Sequence, residues 1–368
     1  MQLLRVRVPN FRALKDVDLT FEKDFVPQIF PLGSLNGGGK STLLQLIFIL
    51  LHRPNQSDYI KNILDYITPD GNETATLATL DILDDDGEII TLEFECKNRQ
   101  QGGFGDRHTD TLKFFRMIYH NNKELYRRTR ASQARVIIES MNESFFSTLG
   151  CKIFLAAPSS QIYLFLPPEQ RKSLFKVDGN YNNALDQAKK SLQGFFTYDT
   201  FSVATLSSFF RTAWDKDIDE KVTTGKYGDN YSQMLHDMNQ ILAGKTIVPQ
   251  LINTSQGSRP LEKDLIDSIV FKAADGQEIY PEDLSHGELK KLSIYAWLKA
   301  NQIKNSIVLM DEIENGFHPD WQFQIVKELE AWEPSNQYIL ATHSYELCTA
   351  LTPSHVKELE PKLVSTPK

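Results

Sequence analysis

The sequence predicts an α/β fold, and three stretches of the chain carry this prediction. An apolar run, Phe25–Leu32, leads into the glycine-rich loop Gly33–Thr42, and a second apolar run, Leu43–Leu51, leaves that loop. Near the other end, the apolar strand Ile307–Met310 ends in two acidic residues, and the strand segment Gln337–Ser344 delivers a Thr-His pair. Short apolar strands that alternate with helical patterns are typical of α/β proteins.

The glycine-rich loop has the composition of a phosphate-binding loop. Backbone N–H groups and the following helix N-terminus would meet the phosphates, and glycines permit that close approach. Ser34 occupies the first glycine position of the usual G-x-x-x-x-G-K-[ST] pattern, and Gly33 lies one residue earlier. The alternative is a glycine-rich turn with a chance lysine. The candidate phosphate-binding residues are Asn36, Gly37, Gly38, Gly39, Lys40, Ser41 and Thr42, with the Ser41 hydroxyl on Mg²⁺.

Two strand ends near the C-terminus supply candidate catalytic groups. Asp311 would hold the Mg²⁺ shell, and Glu312 would act as the general base that activates water. His343 could contact the γ-phosphate and sense hydrolysis. Taken alone, each feature has an ordinary structural explanation, an acidic turn or a structural histidine after a strand. The phosphate-binding loop in the same chain favours the functional interpretation.

The segment Leu284–Ala300 predicts a well-capped amphipathic helix. Ser285, His286 and Gly287 stand at its start, and Glu288 lies in the first turn, where an acidic side chain suits the helix dipole. The residues alone indicate a capped helix and nothing more. Its location shortly before Asp311 favours a functional interpretation of this helix.

The overall composition is that of an ordinary globular protein. The chain has 368 residues, a hydrophobic fraction of 41% and a net charge of −8, so no global field favours nucleic acid. The Arg127–Arg135 region is rich in arginine, which fits a local basic strip or a solvated face. The three cysteines are far apart in the sequence, which fits a reducing cytoplasm. The N-terminus has arginines where a signal peptide needs an apolar core, so we expect a cytoplasmic protein without a membrane partner.

Together these motifs resemble an ABC-type ATPase head. "LSHGE" resembles the LSGGQ signature, "SIVLMDE" the Walker B strand and "ATHS" the switch histidine. The resemblance implies an ABC-type P-loop NTPase head with a mixed sheet, an antiparallel β lobe and a helical insertion, with ATP and Mg²⁺ as cofactors. In this family ATP is sandwiched between two head-to-tail protomers. Ser285 and Gly287 would face the nucleotide of a second copy, and His286 replaces the first signature glycine, so its ring must find room.

Two further stretches narrow the resemblance. "LLRVRVPNFRALKDVDLTFE" resembles the N-terminal strand and "NFR" motif of the SMC, recombination-mediator and OLD ATPases, and "DEIENGFHP" resembles the "DExExxLHP" stretch of OLD-like AAA ATPases. The specific motifs cover roughly residues 1–50 and 240–350. Residues 74–98 predict a hairpin of the antiparallel lobe. Gln161 is the candidate Q-loop ligand of Mg²⁺, or else a surface glutamine in a loop.

The domain prediction places the first part of the head in residues 1–175, a helical insertion in 176–240 and the second part of the head in 241–368. No sustained heptad repeat and no hook cysteines occur in the insertion, which argues against a long-armed DNA tether. The chain ends 25 residues after His343, which leaves no space for a Toprim nuclease. We therefore expect an ATPase head without a coiled coil or a Toprim domain.

The function expected from the resemblance is a sensor or regulatory ATPase. In anti-phage systems of the Septu and PARIS type, such an ATPase holds or triggers a separately encoded nuclease. One alternative is a DNA-repair or recombination ATPase that clamps duplex DNA. Salt-sensitive DNA binding would support this alternative. A transporter or translation-factor subunit is a weaker alternative, because "DEIENGFHP" resembles the OLD-like stretch rather than the D-loop of transporter subunits. The single set of motifs argues against tandem heads. A nucleotide-binding scaffold without turnover is disfavoured by the intact Asp311–Glu312 pair.

Overall fold

The fold was analysed in a computed structural model that describes residues 1–33, 37–52, 74–100, 111–119, 123–129, 148–158, 163–166, 194–198, 203–242, 245–250, 268–280 and 283–359. The strands are β1 Gln2–Phe11, β2 Leu14–Thr20, β3 Ile29–Gly33, β4 Thr74–Leu83, β5 Ile89–Gln100, β6 Thr111–Tyr119, β7 Lys123–Thr129, β8 Ile153–Ala157, β9 Phe195–Thr197, β10 Lys245–Gln250, β11 Ser268–Ala273, β12 Glu278–Ile279, β13 Ile307–Asp311, β14 Gln337–Ala341 and β15 Lys357–Glu358. The helices are α1 Lys40–Leu51, α2 Val203–Thr224, α3 Asn230–Ile241, α4 His286–Ala300, α5 Pro319–Trp332 and α6 Tyr345–Thr349.

A parallel sheet forms the centre of the first compact unit, which comprises Met1–Phe196, Lys304–Glu314 and Pro319–Lys368. Within the described residues its strand order is β15-β3-β14-β13-β8-β9, and the ladders from β15 across to β8 are all parallel. Strands β13 and β14 are buried along their whole length, as near-continuous apolar strands of a covered parallel sheet must be. Helix α1 shares their hydrophobic core. The predicted phosphate loop, over its described residues, and the acidic strand thus belong to one compact unit.

An antiparallel sheet completes the first unit. In the described part of the chain its order is β2-β1-β4-β5-β6-β7, with antiparallel ladders throughout. The predicted hairpin is confirmed as β4 and β5, joined by an exposed acidic turn in which the backbone N–H of Glu88 donates to the carboxylate of Asp84. Leu80 and Leu92 face each other across this pair and are fully buried. Alternation of buried and exposed side chains along these strands fits a sheet with one covered face.

The second compact unit comprises Thr197–Ile303 and Asn315–His318. It contains the helices α2, α3 and α4 and a three-stranded antiparallel sheet, β10-β11-β12, among the described residues. Asp217 of α2 is buried and accepts the backbone N–H groups of Asn230 and Tyr231, which fixes the turn into α3. The helices predicted within the insertion are therefore present over the described residues.

The predicted fold class is confirmed, and most predicted elements occur where the sequence indicates them. The helix after the phosphate loop, the acidic strand and the signature helix have the predicted types. Asn36 and Gln161 lie outside the described residues, and the proposed domain boundaries remain predictions. None of the helices in the described part of the chain is long and apolar enough to cross a membrane.

Candidate nucleotide-binding site

The loop between β3 and α1 has the backbone that a phosphate-binding loop requires. Gly37 and Gly39 adopt φ values of 85° and 91°, in the left-handed region that side-chain-bearing residues rarely enter. A Cβ on Gly39 would also lie 2.7 Å from Leu14 Cδ2, so the turn between β1 and β2 packs directly on the loop. Helix α1 begins at Lys40, and its first turn exposes backbone N–H groups toward the loop. These features fit an anion site at the start of α1.

Lys40 and His343 meet at this loop, although 303 positions separate them in the chain. Lys40 is buried, with 5% of its surface exposed, and its Nζ lies 3.4 Å from His343 Nδ1. Since the ammonium group has no acceptor, Nδ1 is the acceptor of this contact. His343 itself is exposed. The predicted phosphate-binding lysine and the predicted switch histidine are therefore neighbours.

Ser41 and Asp311 form the second contact of the site. The Ser41 hydroxyl donates to Asp311 Oδ1 at 3.1 Å, which joins the start of α1 to the end of β13. Burial raises the pKa of Asp311 to about 7; the Ser41 hydrogen bond opposes this rise, and the carboxylates of Glu312 and Glu314 add to it. Carboxylates crowded in this way need a neutralising cation when they are ionised.

The donor atoms present fit Mg²⁺. Asp311 Oδ2 is buried and makes no hydrogen bond, and the Ser41 hydroxyl is beside the same carboxylate. Mg²⁺ prefers hard oxygen ligands and is commonly held by one or two protein groups together with substrate phosphates. Ser41 and Asp311 therefore qualify as the protein's share of such a site, whereas the third predicted ligand, Gln161, lies outside the described residues.

Glu312 follows Asp311 in an unusual backbone conformation. Its φ is 51°, in the left-handed region, and its backbone N–H donates to Ala341 O at 2.9 Å. The side chain is half-buried. A non-glycine residue with positive φ costs free energy and commonly marks a functional position. The hydrogen bond to the end of β14 holds Glu312 in this conformation.

Glu314 is a site residue that the sequence interpretation did not select. It is buried, with 6% of its surface exposed, and its Oε1 accepts the backbone N–H of His343 at 2.6 Å. Its other oxygen, Oε2, is buried without a hydrogen-bond partner in the structure. The sequence did offer one indication of this residue, because Glu314 is the second acidic residue of the "DExE" stretch. The spacing alone, however, does not predict that it lies beside His343.

Arg12 is a second residue that was not selected. It occupies the turn between β1 and β2 with φ 56°, and burial lowers the pKa of its guanidinium group. Leu14, the first residue of β2, follows this turn, and its side chain packs against Gly39. The "NFR" motif was the signal for this residue, since it brings an arginine to the turn that packs on the predicted phosphate loop.

The comparisons with known proteins identify the class of this site. The family described as "AAA domain, putative AbiEii toxin, Type IV TA system" matches residues 168–349, which include the predicted signature helix, the acidic strand and the predicted switch histidine. The phosphate loop lies before the matched residues. Its backbone geometry in the first unit fits the predicted P-loop. Residues 168–349 therefore resemble an AAA-type ATPase domain.

One relative of this ATPase is named "Retron Vc95 probable ATPase" and comes from Vibrio cholerae serotype O1 biovar El Tor. It is 34% identical over 103 residues. The match spans 25% of this chain and 20% of the relative, so it concerns a fraction of both proteins.

Two solved structures align with most of the length of this chain but share little sequence identity with it. The SMC head domain from Thermotoga maritima is 10% identical, with a TM-score of 0.43, and covers 95% of this chain and 92% of its own. The recombination mediator RecF in the RecFOR pathway is 12% identical, with a TM-score of 0.35, and covers 94% of each chain. At these scores the likeness does not bear on function.

The signature helix α4 of the ATPase, in the second unit, starts with a capping box. The backbone N–H of Glu288 donates to Ser285 Oγ at 3.3 Å, and the backbone N–H of Ser285 donates to Glu288 Oε2 at 2.9 Å. Ser285 Oγ also donates to Glu288 Oε2 at 2.8 Å. Lys245 Nζ contacts Glu288 Oε1 at 2.6 Å. Although burial acts in the opposite direction, hydrogen bonds from Lys245 and Ser285 lower the pKa of Glu288 overall. Ser285 is exposed and Gly287 is buried.

The ring of His286, which replaces a signature glycine, is accommodated by Gly316. A Cβ on Gly316 would lie 2.5 Å from His286 Cδ2, and Gly316 has φ 83°. Lys290 of α4 also donates to Asn315 O at 3.1 Å. Residues 315–318 therefore pack on the signature helix within the second unit, and glycine at position 316 makes room for the histidine ring.

Proposed function

We propose that this ATPase binds Mg·ATP in a head-to-tail dimer and hydrolyses it slowly. In this proposal it acts as a sensor or regulatory ATPase that controls a separately encoded effector, a nuclease in bacterial anti-phage defence. The observation that carries the hydrolytic part is the convergence of Lys40, Ser41, Asp311 and His343 at one end of the parallel sheet. The similarity to a protein named as a retron probable ATPase supports the ATPase part of the proposal.

The phosphates of ATP would lie over the loop Gly37–Gly39 and the start of α1, where backbone N–H groups and Lys40 supply positive charge. Thr42 adds a second hydroxyl in the first turn of the helix. Ser41 and Asp311 would hold Mg²⁺, which, when bound, supplies charge that stabilises the developing negative charge on the phosphate oxygens. Asn36 completes the predicted loop.

Glu312 would accept a proton from the attacking water as the new bond to the γ-phosphorus forms and the bond to the β-phosphate oxygen breaks. His343 would contact the γ-phosphate, because its Nδ1 already lies beside Lys40. In the dimer, Ser285 and the α4 N-terminus of one copy would approach the nucleotide of the other. The Ser285 hydroxyl would then exchange its hydrogen bond to Glu288 for one to phosphate.

Steady-state ATP turnover of the wild type and of Lys40→Ala tests the hydrolytic part. We expect slow, Mg²⁺-dependent phosphate release by the wild type and none above background by the variant. Equal rates in the two proteins would refute the site. Adding duplex DNA at two salt concentrations tests the alternative of a DNA-clamping repair ATPase. Stimulation that fades with salt would favour that alternative, and indifference to DNA supports the regulatory proposal.

A further inference from the structure

We infer that Glu314 is a positioning residue of the hydrolysis site, which holds His343 in place through the backbone N–H of that residue. The inference rests on the proposed ATPase function. Glu314 follows β13 and His343 follows β14, so the carboxylate links the ends of two adjacent parallel strands. Its role is to fix where the histidine ring points.

The contact has the features of a strong hydrogen bond. Glu314 Oε1 accepts the His343 N–H at 2.6 Å, and the carboxylate is 6% exposed. Hydrogen bonds to ionised acceptors are roughly twice as strong as those between neutral groups. Loss of the acceptor would leave this amide without its hydrogen bond, which disfavours the present position of the backbone. The residue is therefore placed to define one backbone position after β14.

The position that Glu314 defines is the one that matters for the nucleotide. The His343 ring lies 3.4 Å from Lys40 Nζ, and the preceding Ala341 accepts the backbone N–H of Glu312 at 2.9 Å. A shift of the chain after Ala341 would move the ring relative to Lys40. Displacements of about 1 Å in a catalytic site can reduce a rate about 100-fold.

Only one oxygen of Glu314 makes the hydrogen bond that positions His343. Oε1 accepts the backbone N–H of His343, whereas Oε2 has no hydrogen-bond partner among the described residues. An amide oxygen can replace Oε1 as the acceptor, because glutamine has the same shape and a carbonyl group. Glu314→Gln should therefore keep the link to His343, and Glu314→Ala should remove it.

The test is a double-mutant cycle on ATP turnover with the variants Glu314→Ala, His343→Ala and the two combined. We expect Glu314→Ala to reduce kcat about 10–100-fold with KM for ATP changed less than about threefold, on the magnitude of positional effects. Because Glu314 acts through His343, its removal should cost little further once His343 is gone. Glu314→Gln should restore kcat to within about threefold of the wild type, since the acceptor remains.

A matched control separates positioning from loss of stability. Glu333 is also buried, with 8% exposure, and accepts from Ser335, beyond the C-terminus of α5. Ser335 in turn accepts the backbone N–H of Asn305, just before β13, so Glu333 is linked to the N-terminal ends of the strands, whereas His343 follows the C-terminal end of β14. We expect Glu333→Ala to lower the melting temperature and to leave kcat per folded molecule unchanged.

Additive effects in the cycle would overturn the inference, as would a Glu314→Gln variant as impaired as Glu314→Ala. A Glu314→Ala variant with wild-type kcat, or with a raised KM alone, would also overturn it. Each of these results leaves the ATPase itself standing, since the wild type still exceeds Lys40→Ala. A wild-type rate equal to that of Lys40→Ala would instead refute the proposed function and the inference with it.

Discussion

Replacement of Glu312 by glutamine is the sharpest test of the proposed chemistry. The residue holds φ 51° and its backbone N–H is bonded to Ala341 O at 2.9 Å. Glutamine has the same shape and keeps this backbone hydrogen bond, so the substitution removes the charge and the proton-accepting oxygen alone. The fold and the phosphate loop should be unaffected.

The expected loss follows from the role assigned to Glu312. General base catalysis contributes about 10²–10⁴-fold to a rate. Each factor of ten corresponds to about 1.36 kcal/mol, so the barrier should rise by about 2.7–5.4 kcal/mol. Because Lys40, Ser41 and Asp311 are unchanged, ATP binding should persist. An ATP-bound dimer should then accumulate.

Two measurements check this expectation. Phosphate release at saturating ATP should fall by the stated factor, and size-exclusion chromatography with Mg·ATP should show a dimer that the wild type loses as it hydrolyses. Glu88→Gln is the charge-matched control, because Glu88 is exposed in the β4–β5 turn. An unchanged turnover rate in Glu312→Gln, beside an unchanged control, would refute Glu312 as the base.

Three further substitutions test the rest of the structure. Asp311→Asn should reduce turnover at least about 100-fold and weaken Mg²⁺ binding, measured by calorimetry, because it removes a charged oxygen ligand. Gly316→Ala should destabilise the protein by about 1–2 kcal/mol in denaturant titrations because of its positive φ, and His286→Ala should recover any additional cost of the clash with the His286 ring. Gln337→Ala should cost about 2–4 kcal/mol, because Gln337 makes two buried hydrogen bonds to Leu3; stability equal to wild type would refute that link.

The sequence predicted the elements of the site because their signals are local. Apolar runs of strand length and a glycine loop before a helix are readable over a few residues, and so are Ser285 and Glu288 as a capping box. The acidic pair and the Thr-His pair each follow an apolar strand directly. Strand and helix bounds then agreed with these patterns within a few residues.

The contacts between distant segments could not be predicted in the same way. Glu314 and His343 are 29 positions apart, and their hydrogen bond depends on the register in which β13 and β14 pair. The fit of His286 against Gly316 likewise depends on tertiary packing within the second unit. A pattern of residue types indicates which strand a side chain follows, but not which backbone N–H it accepts.

The pairing of β13 with β14 connects the proposed chemistry to the proposed sensing. Asp311 lies opposite Ala341 in the parallel ladder, so the residues after both strands emerge side by side. Two hydrogen bonds then run in opposite directions, from the Glu312 N–H to the end of β14 and from the His343 N–H to Glu314. The proposed base Glu312 is therefore positioned by the end of β14, and His343 is positioned by Glu314, which follows β13. When the γ-phosphate leaves, His343 should be displaced. Because the same pair of strand ends positions both residues, we expect that displacement to shift Glu312 as well.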